Sequence, residues 1–133
     1  MQELLIMAKT VWGEARGEST EGQIAVAWVI KNRAMNPKWW GRTIEEVCLK
    51  KYQFSCWLES DPNRAKMDKL TEEDLKEQIE VCQSVLDDEV SDPTQGANHY
   101  HVKGLLPSWV RNEEDDSIKQ PIVIIGNHSF YRF

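Results

Sequence analysis

The sequence is expected to fold as an α+β protein, mainly α, with a small strand-rich C-terminal part. Three observations carry this expectation. Apolar residues recur at helical spacing up to Val90, the turn-rich stretch Asp92-Pro93-Thr94-Gln95-Gly96 ends that periodicity, and only short apolar runs separated by loops follow it.

Leu4, Leu5, Ala8, Val11, Trp12 and Ala15 form one apolar stripe, which predicts a helix from Glu3 to Arg16, stopped by Gly17. Thr20 and Gln23 have the spacing of a capping box. The run Ile24–Ile30 behind them is apolar nearly all round, so this second helix should be the buried one, ending near Ala34 because Asn36 precedes Pro37. Residues 37–42 read as a loop carrying Trp39 and Trp40, which pack the loop or touch a ligand. Thr43 with Glu46 opens a short helix through Leu49. The segment Tyr52–Trp57 has no helical period and reads as a strand or a packed loop, with a turn at Ser60-Asp61-Pro62-Asn63. Thr71 followed by three acids marks a helix start, and Leu75, Ile79, Cys82, Leu86 and Val90 form its apolar face. Beyond Gly96, Asn98–Val102, Leu105–Trp109, a charged run from Arg111 to Asp116 and the apolar run Ile122–Ile125 read together as short strands and loops. Without an internal repeat or linker, residues 1–133 are expected to form a single domain.

Composition narrows function before any motif does. Of 133 residues, 41% are hydrophobic and six are Trp, enough for a real core. Sixteen Lys and Arg against 22 Asp and Glu give a net charge of -6, and no basic run exceeds Lys50-Lys51, so duplex nucleic acid is excluded as a partner class. Cys48, Cys56 and Cys82 are odd in number and contain no CxxC pair, so free thiols are expected, with room for one bridge. No stretch approaches the roughly 18 apolar residues of a membrane span. The first residues lack a basic leader, so no signal peptide is visible.

The densest chemistry lies in Trp12-Gly13-Glu14-Ala15-Arg16-Gly17-Glu18, which interrupts a good helix with two glycines and sets two carboxylates and an arginine among bulky apolar residues. A carboxyl desolvated by such neighbours has a raised pKa and can act as a general acid. The same residues could instead be solvent-facing charges at a helix end, paired with Arg16.

This stretch, continued by Glu21–Arg33, resembles the opening of the SleB/CwlJ family of cell wall hydrolases. Later motifs match in order: Gln53-Phe54-Ser55 with Trp57; Gly96-Ala97-Asn98-His99-Tyr100-His101 with Pro107 and Trp109; and Ile125-Gly126-Asn127-His128-Ser129-Phe130-Tyr131. The charged segment from Arg111 to Gln120 carries no recognisable motif. The resemblance implies a lysozyme-like core that cleaves peptidoglycan between N-acetylmuramic acid and N-acetylglucosamine, with Glu14 as the catalytic acid. It also implies a lytic transglycosylase, in which the muramic acid's own 6-hydroxyl replaces water and no second carboxylate is required. A retaining hydrolase would need two carboxyls about 5 Å apart and an inverting one roughly 6.5–9.5 Å. Glu18 is the neighbour in sequence; a continuous helix would place it on the same face about 6 Å away. Because Gly17 ends the helix first, Glu18 is expected in a supporting role.

The motifs nominate Ser55 and Tyr100 as further supporting residues. Gln53, Phe54, Asn98, Trp109 and His128 are nominated to line the glycan site, since sugars present apolar faces with polar rims. Ordinary core packing is the other reading of Phe54 and Trp109, and a packed histidine near the cleft that of His128. Three imidazoles, His99, His101 and His128, raise the question of zinc; it is set aside on the expectation that His99 and His101 alternate to opposite faces of a strand. No metal or other cofactor is expected. The alternatives are a hydrolytic muramidase, a non-catalytic peptidoglycan-binding module, and a zinc amidase, for which HExxH is absent. The expected protein is a monomer made in the cytoplasm and acting on the wall, as would suit a phage or prophage lysin released by a holin or carried in a virion.

Overall fold

The computed structural model describes residues 2–51 and 53–133. Tyr52, the head of the segment expected as strand or packed loop, lies outside the described residues. The N-terminal apolar stripe folds into α1 (Gln2–Ala15), burying Ile6, Met7, Ala8, Val11 and Ala15. Gly13 sits inside this helix instead of breaking it. A Cβ there would lie 2.7 Å from Cys56 Cβ and 2.8 Å from Cys56 Sγ, so the missing side chain lets the segment around Cys56 close onto α1.

The second helix, α2 (Thr20–Met35), is the buried one, with Ala25 through Ile30 all in the core. Its cap is Ser19, whose Oγ accepts from Gly22 N–H at 3.2 Å. Thr20 is the first helical residue and not the cap. The expected box with Gln23 does not form because that amide turns inward, donating to Glu18 C=O and to Glu77 Oε1. In α3 (Ile44–Leu49), Thr43 Oγ1 caps Glu46 N–H at 3.1 Å as expected.

A 3-10 turn at Ser55–Trp57 fills the place of the expected strand or loop. The predicted turn at Ser60–Asn63 is instead the start of α4 (Pro62–Asp68). Asp61 Oδ1 accepts from Asn63 N–H at 2.8 Å and Pro62 occupies the first turn. Asp-Pro serves a helix start as well as a turn, so local sequence does not separate the two. α5 (Lys76–Leu86) is shorter than expected at both ends. Thr71 and Asp74 hydrogen-bond each other ahead of it, and Asp88, at φ 56°, ends the helical run. α5 packs on both α1 and α2.

The C-terminal part supplies β1 (His99–Val102), β2 (Val123–Ile125) and β3 (His128–Tyr131) in an antiparallel sheet of order β1-β3-β2. Asp92 ties this part to α2: its carboxylate accepts from Thr94 N–H and Oγ1, Gly96 N–H and Asn32 Nδ2. The inner sheet face, with Phe130 and Ile125, packs on Ala25, Val29 and Ala97. Residues two apart on a strand share a face. His99 and His101 therefore point the same way, both onto Trp109 with ring centroids 5.1 and 5.8 Å apart, correcting the expectation that they diverge. The residue between them, Tyr100, faces inward. The turn Gly126-Asn127 joins β2 to β3; Gly126 has φ 58°, and a Cβ on it would run into Glu18 Oε1.

All three cysteines are buried free thiols. Among the described residues, no helix is long and apolar enough to cross a membrane.

Candidate active site

Glu14 occupies the last turn of α1, where Gly13 allows close packing and β1 approaches. Its Oε1 accepts a 2.6 Å hydrogen bond from Tyr100 Oη, and the Cys56 thiol donates to the same carboxyl. Burial pushes the Glu14 carboxyl above its ordinary range, and the charge of Asp61 pushes the same way. The hydrogen bonds from Tyr100 and Cys56 and the Arg33 charge pull against this without winning. Desolvation holds Tyr100 well above the usual phenol range, so it remains a neutral donor. The Cys56 thiol is raised by the same cause and also stays protonated.

Arg33 was not singled out by sequence reasoning, although an arginine in the last turn of an apolar helix was a usable signal. Its Nε donates to Asn98 C=O at 2.7 Å, its guanidinium carbon lies 5.5 Å from the ring centroids of both Trp40 and Phe54, and Nη1 is buried without a hydrogen-bond partner. It places a fixed positive charge near Glu14 and Tyr100. Asp61 and Cys56 were also missed as neighbours of Glu14, because only folding brings the segment around them onto α1.

The other nominated residues divide. Glu18 is engaged elsewhere: its two oxygens accept from Asn127 N–H at 2.9 Å and Asn127 Nδ2 at 3.0 Å, and its pKa is lowered chiefly by that backbone bond. It staples the β2–β3 turn to the α1–α2 junction, a supporting role of a structural kind. Ser55 is exposed, and its neighbour Cys56 reaches Glu14 instead. Phe54 is core at 3% exposure. Gln53 donates to Val47 C=O at 2.6 Å. Asn98 is buried and committed to the chain: Nδ2 donates to Phe133 C=O, and Oδ1 accepts from Phe133 N–H. His128 is buried, its ring 4.9 Å from that of Tyr100 and its Nδ1 4.0 Å from Glu18 Oε1. Phe54, Asn98 and His128 are thus largely buried, although Phe54 borders a cleft beside Trp57 and Asn98 one beside Arg132. The three imidazoles do not converge, since His128 lies on the opposite sheet face from His99 and His101. Trp109 lines a cleft of about 900 Å³ with Trp39, His99 and Phe133, of which Glu14 is not a wall.

A desolvated carboxyl with a raised pKa, and a phenol and a thiol ready to stabilise its ionised form, can release and recover a proton. Residues 17–131 match the Cell Wall Hydrolase family. The chain belongs to that family. This cell wall hydrolase is similar to the crystal structure of the catalytic domain of the Bacillus cereus SleB protein, with a TM-score of 0.73 and 26% identity, covering 98% of this chain and 89% of that one. It matches the catalytic domain of the germination-specific lytic transglycosylase SleB from Bacillus anthracis at a TM-score of 0.72 and 26% identity, covering 99% and 95% of the two chains. A spore cortex-lytic enzyme of Oceanobacillus iheyensis is 41% identical over 63 residues, 43% of this chain and 22% of that protein. That match spans about a fifth of the longer relative. The family match starts at Gly17, whereas the structural matches span nearly all of the hydrolase and so extend over α1.

Proposed function

We propose that this cell wall hydrolase cleaves peptidoglycan at the bond between N-acetylmuramic acid and N-acetylglucosamine, as a lytic transglycosylase with Glu14 as its acid and base. The observation that supports this most is a single desolvated carboxyl under the Tyr100 hydroxyl, with the neighbouring carboxylates otherwise engaged. Glu18 is bound to Asn127 and Asp61 caps α4. Protonated Glu14 gives its proton to the glycosidic oxygen as that bond breaks and positive charge grows at the muramic acid carbon. The 6-hydroxyl of the same sugar attacks this carbon, and its proton passes to ionised Glu14, which restores the acid and leaves a 1,6-anhydro end. Arg33, Tyr100 and Cys56 favour the ionised form that exists between the two transfers.

Mass analysis of digested peptidoglycan tests the reading, because the anhydro product is one water lighter than the hydrolytic one. Anhydro ends from active protein, and none from Glu14→Gln, are expected. Reducing, hydrated ends alone would assign a muramidase, with Asp61 the first carboxylate to re-examine.

A further inference from the structure

A cleft of about 900 Å³ lies on the far side of the sheet from Glu14. Tyr100 turns inward to the acid, while its chain neighbours His99 and His101 face outward into an aromatic wall. Trp40 is 1% exposed and fixed by its Nε1–H donating to Arg33 C=O at 2.8 Å. Against this base, edge-on at 5.5 Å, stands Trp39, which is 62% exposed. Trp109 continues the wall, with ring centroids 5.2 Å from Tyr131 and 5.6 Å from Phe133. An exposed indole held on a rigid aromatic base has already lost much of the freedom that stacking on a sugar would cost.

Charge selects the ligand class. The cleft is lined by three cations, Lys38, Arg111 and Lys119, and three acids, Glu113, Glu114 and Asp115, so its walls balance although the chain carries -6. Its cations are also occupied by the protein itself. Lys38 donates to Phe133 C=O, Lys119 sits 4.4 Å over the Phe133 ring, and Arg111 pairs with Asp116 at 3.8 Å. An anionic ligand gains little here, whereas hydroxyls and acetamides, which both donate and accept, suit a rim of mixed sign. Its volume of about 900 Å³ suits more than one sugar ring.

We infer that this outer cleft is a second carbohydrate site, which holds uncharged N-acetylhexosamine units of the wall glycan on a platform formed by Trp39 and Trp109. The inference rests on the reading that the substrate is a glycan strand, and it adds a grip separate from the cleaving acid.

The probe is chitotetraose, titrated into ¹⁵N-labelled Glu14→Gln protein and followed through the tryptophan indole N–H signals. Saturable shifts at Trp39 and Trp109 are expected. Trp39→Ala in the same background should weaken the affinity read at Trp109 by about three- to tenfold, and Trp39→Phe should recover most of it. Absent shifts at both indoles, or an affinity indifferent to Trp39→Ala, would overturn the second site. So would shifts that answer to a charged stem peptide and not to chitotetraose. If the shifts fail while wild-type protein still forms anhydro ends, only the second site falls. Retained shifts alongside undiminished wall clearance by Glu14→Gln remove only the catalytic reading.

Discussion

Replacing Glu14 with glutamine should have two opposite effects. Loss of the proton donor should cut wall clearance by about 10²–10⁴-fold, the usual worth of general acid–base catalysis. The same change should stabilise the fold. A carboxyl whose folded pKa lies above its unfolded value favours the native state at low pH, and that contribution is lost as pH rises from the unfolded value through the folded one. Glutamine keeps an acceptor for Tyr100 and never ionises, so thermal unfolding at neutral pH should show Tm raised by about 3–6 °C. Tyr100→Phe tests the electrostatics separately. Its hydroxyl lowers the Glu14 pKa, so its removal should raise that pKa further. Because the acid works protonated, the alkaline limb of the pH–rate profile should move to higher pH while the rate falls about tenfold. An unmoved limb would mean that the 2.6 Å bond does not tune Glu14.

At the scale of the element, capping and close packing give separable predictions. Ser19→Ala removes the acceptor for Gly22 N–H at the head of the central helix and should cost about 1 kcal/mol in urea unfolding, whereas Thr20→Ala, one residue inside, should be near neutral. This asymmetry separates the observed cap from the one the Thr20/Gln23 spacing suggests. Gly13→Ala would press a methyl onto Cys56 and Met67 and should destabilise by about 1–3 kcal/mol. Part of that strain should fall on the Cys56–Glu14 contact, so activity should drop more than the folded fraction does. The expected helix α1 and the composition of α2 were plain in the sequence because one-sided or all-round apolar spacing reports burial directly. Both the start of α4 and the true cap of α2 were not, since each depends on which of two locally adequate hydrogen-bond arrangements the surrounding packing accepts.

For the whole molecule, burial predicts thiol behaviour. Burial pushes Cys48 up to about 12 and raises Cys56 and Cys82 as well, so a disulfide-exchange reagent should leave all three unmodified in the native state and label all three on unfolding. Rapid native labelling at Cys56 would show that the Glu14 site opens. The sequence by itself determined the mainly helical class, the central α2, the strand-rich end, the family resemblance and Glu14 as the residue to watch. These depend on spacing, composition and ordered motifs, which the chain carries locally. The tertiary structure alone decided that Tyr100 bonds Glu14, that the segment around Cys56 closes onto α1, that Glu18 serves the Asn127 turn, and that Asn98 and His128 are buried. It also set Tyr100 and His99 on opposite faces of one strand, dividing the acid from the aromatic cleft. Adjacent residues in a strand diverge while distant segments meet, so desolvation and charge at Glu14 come from chain positions that no local pattern connects.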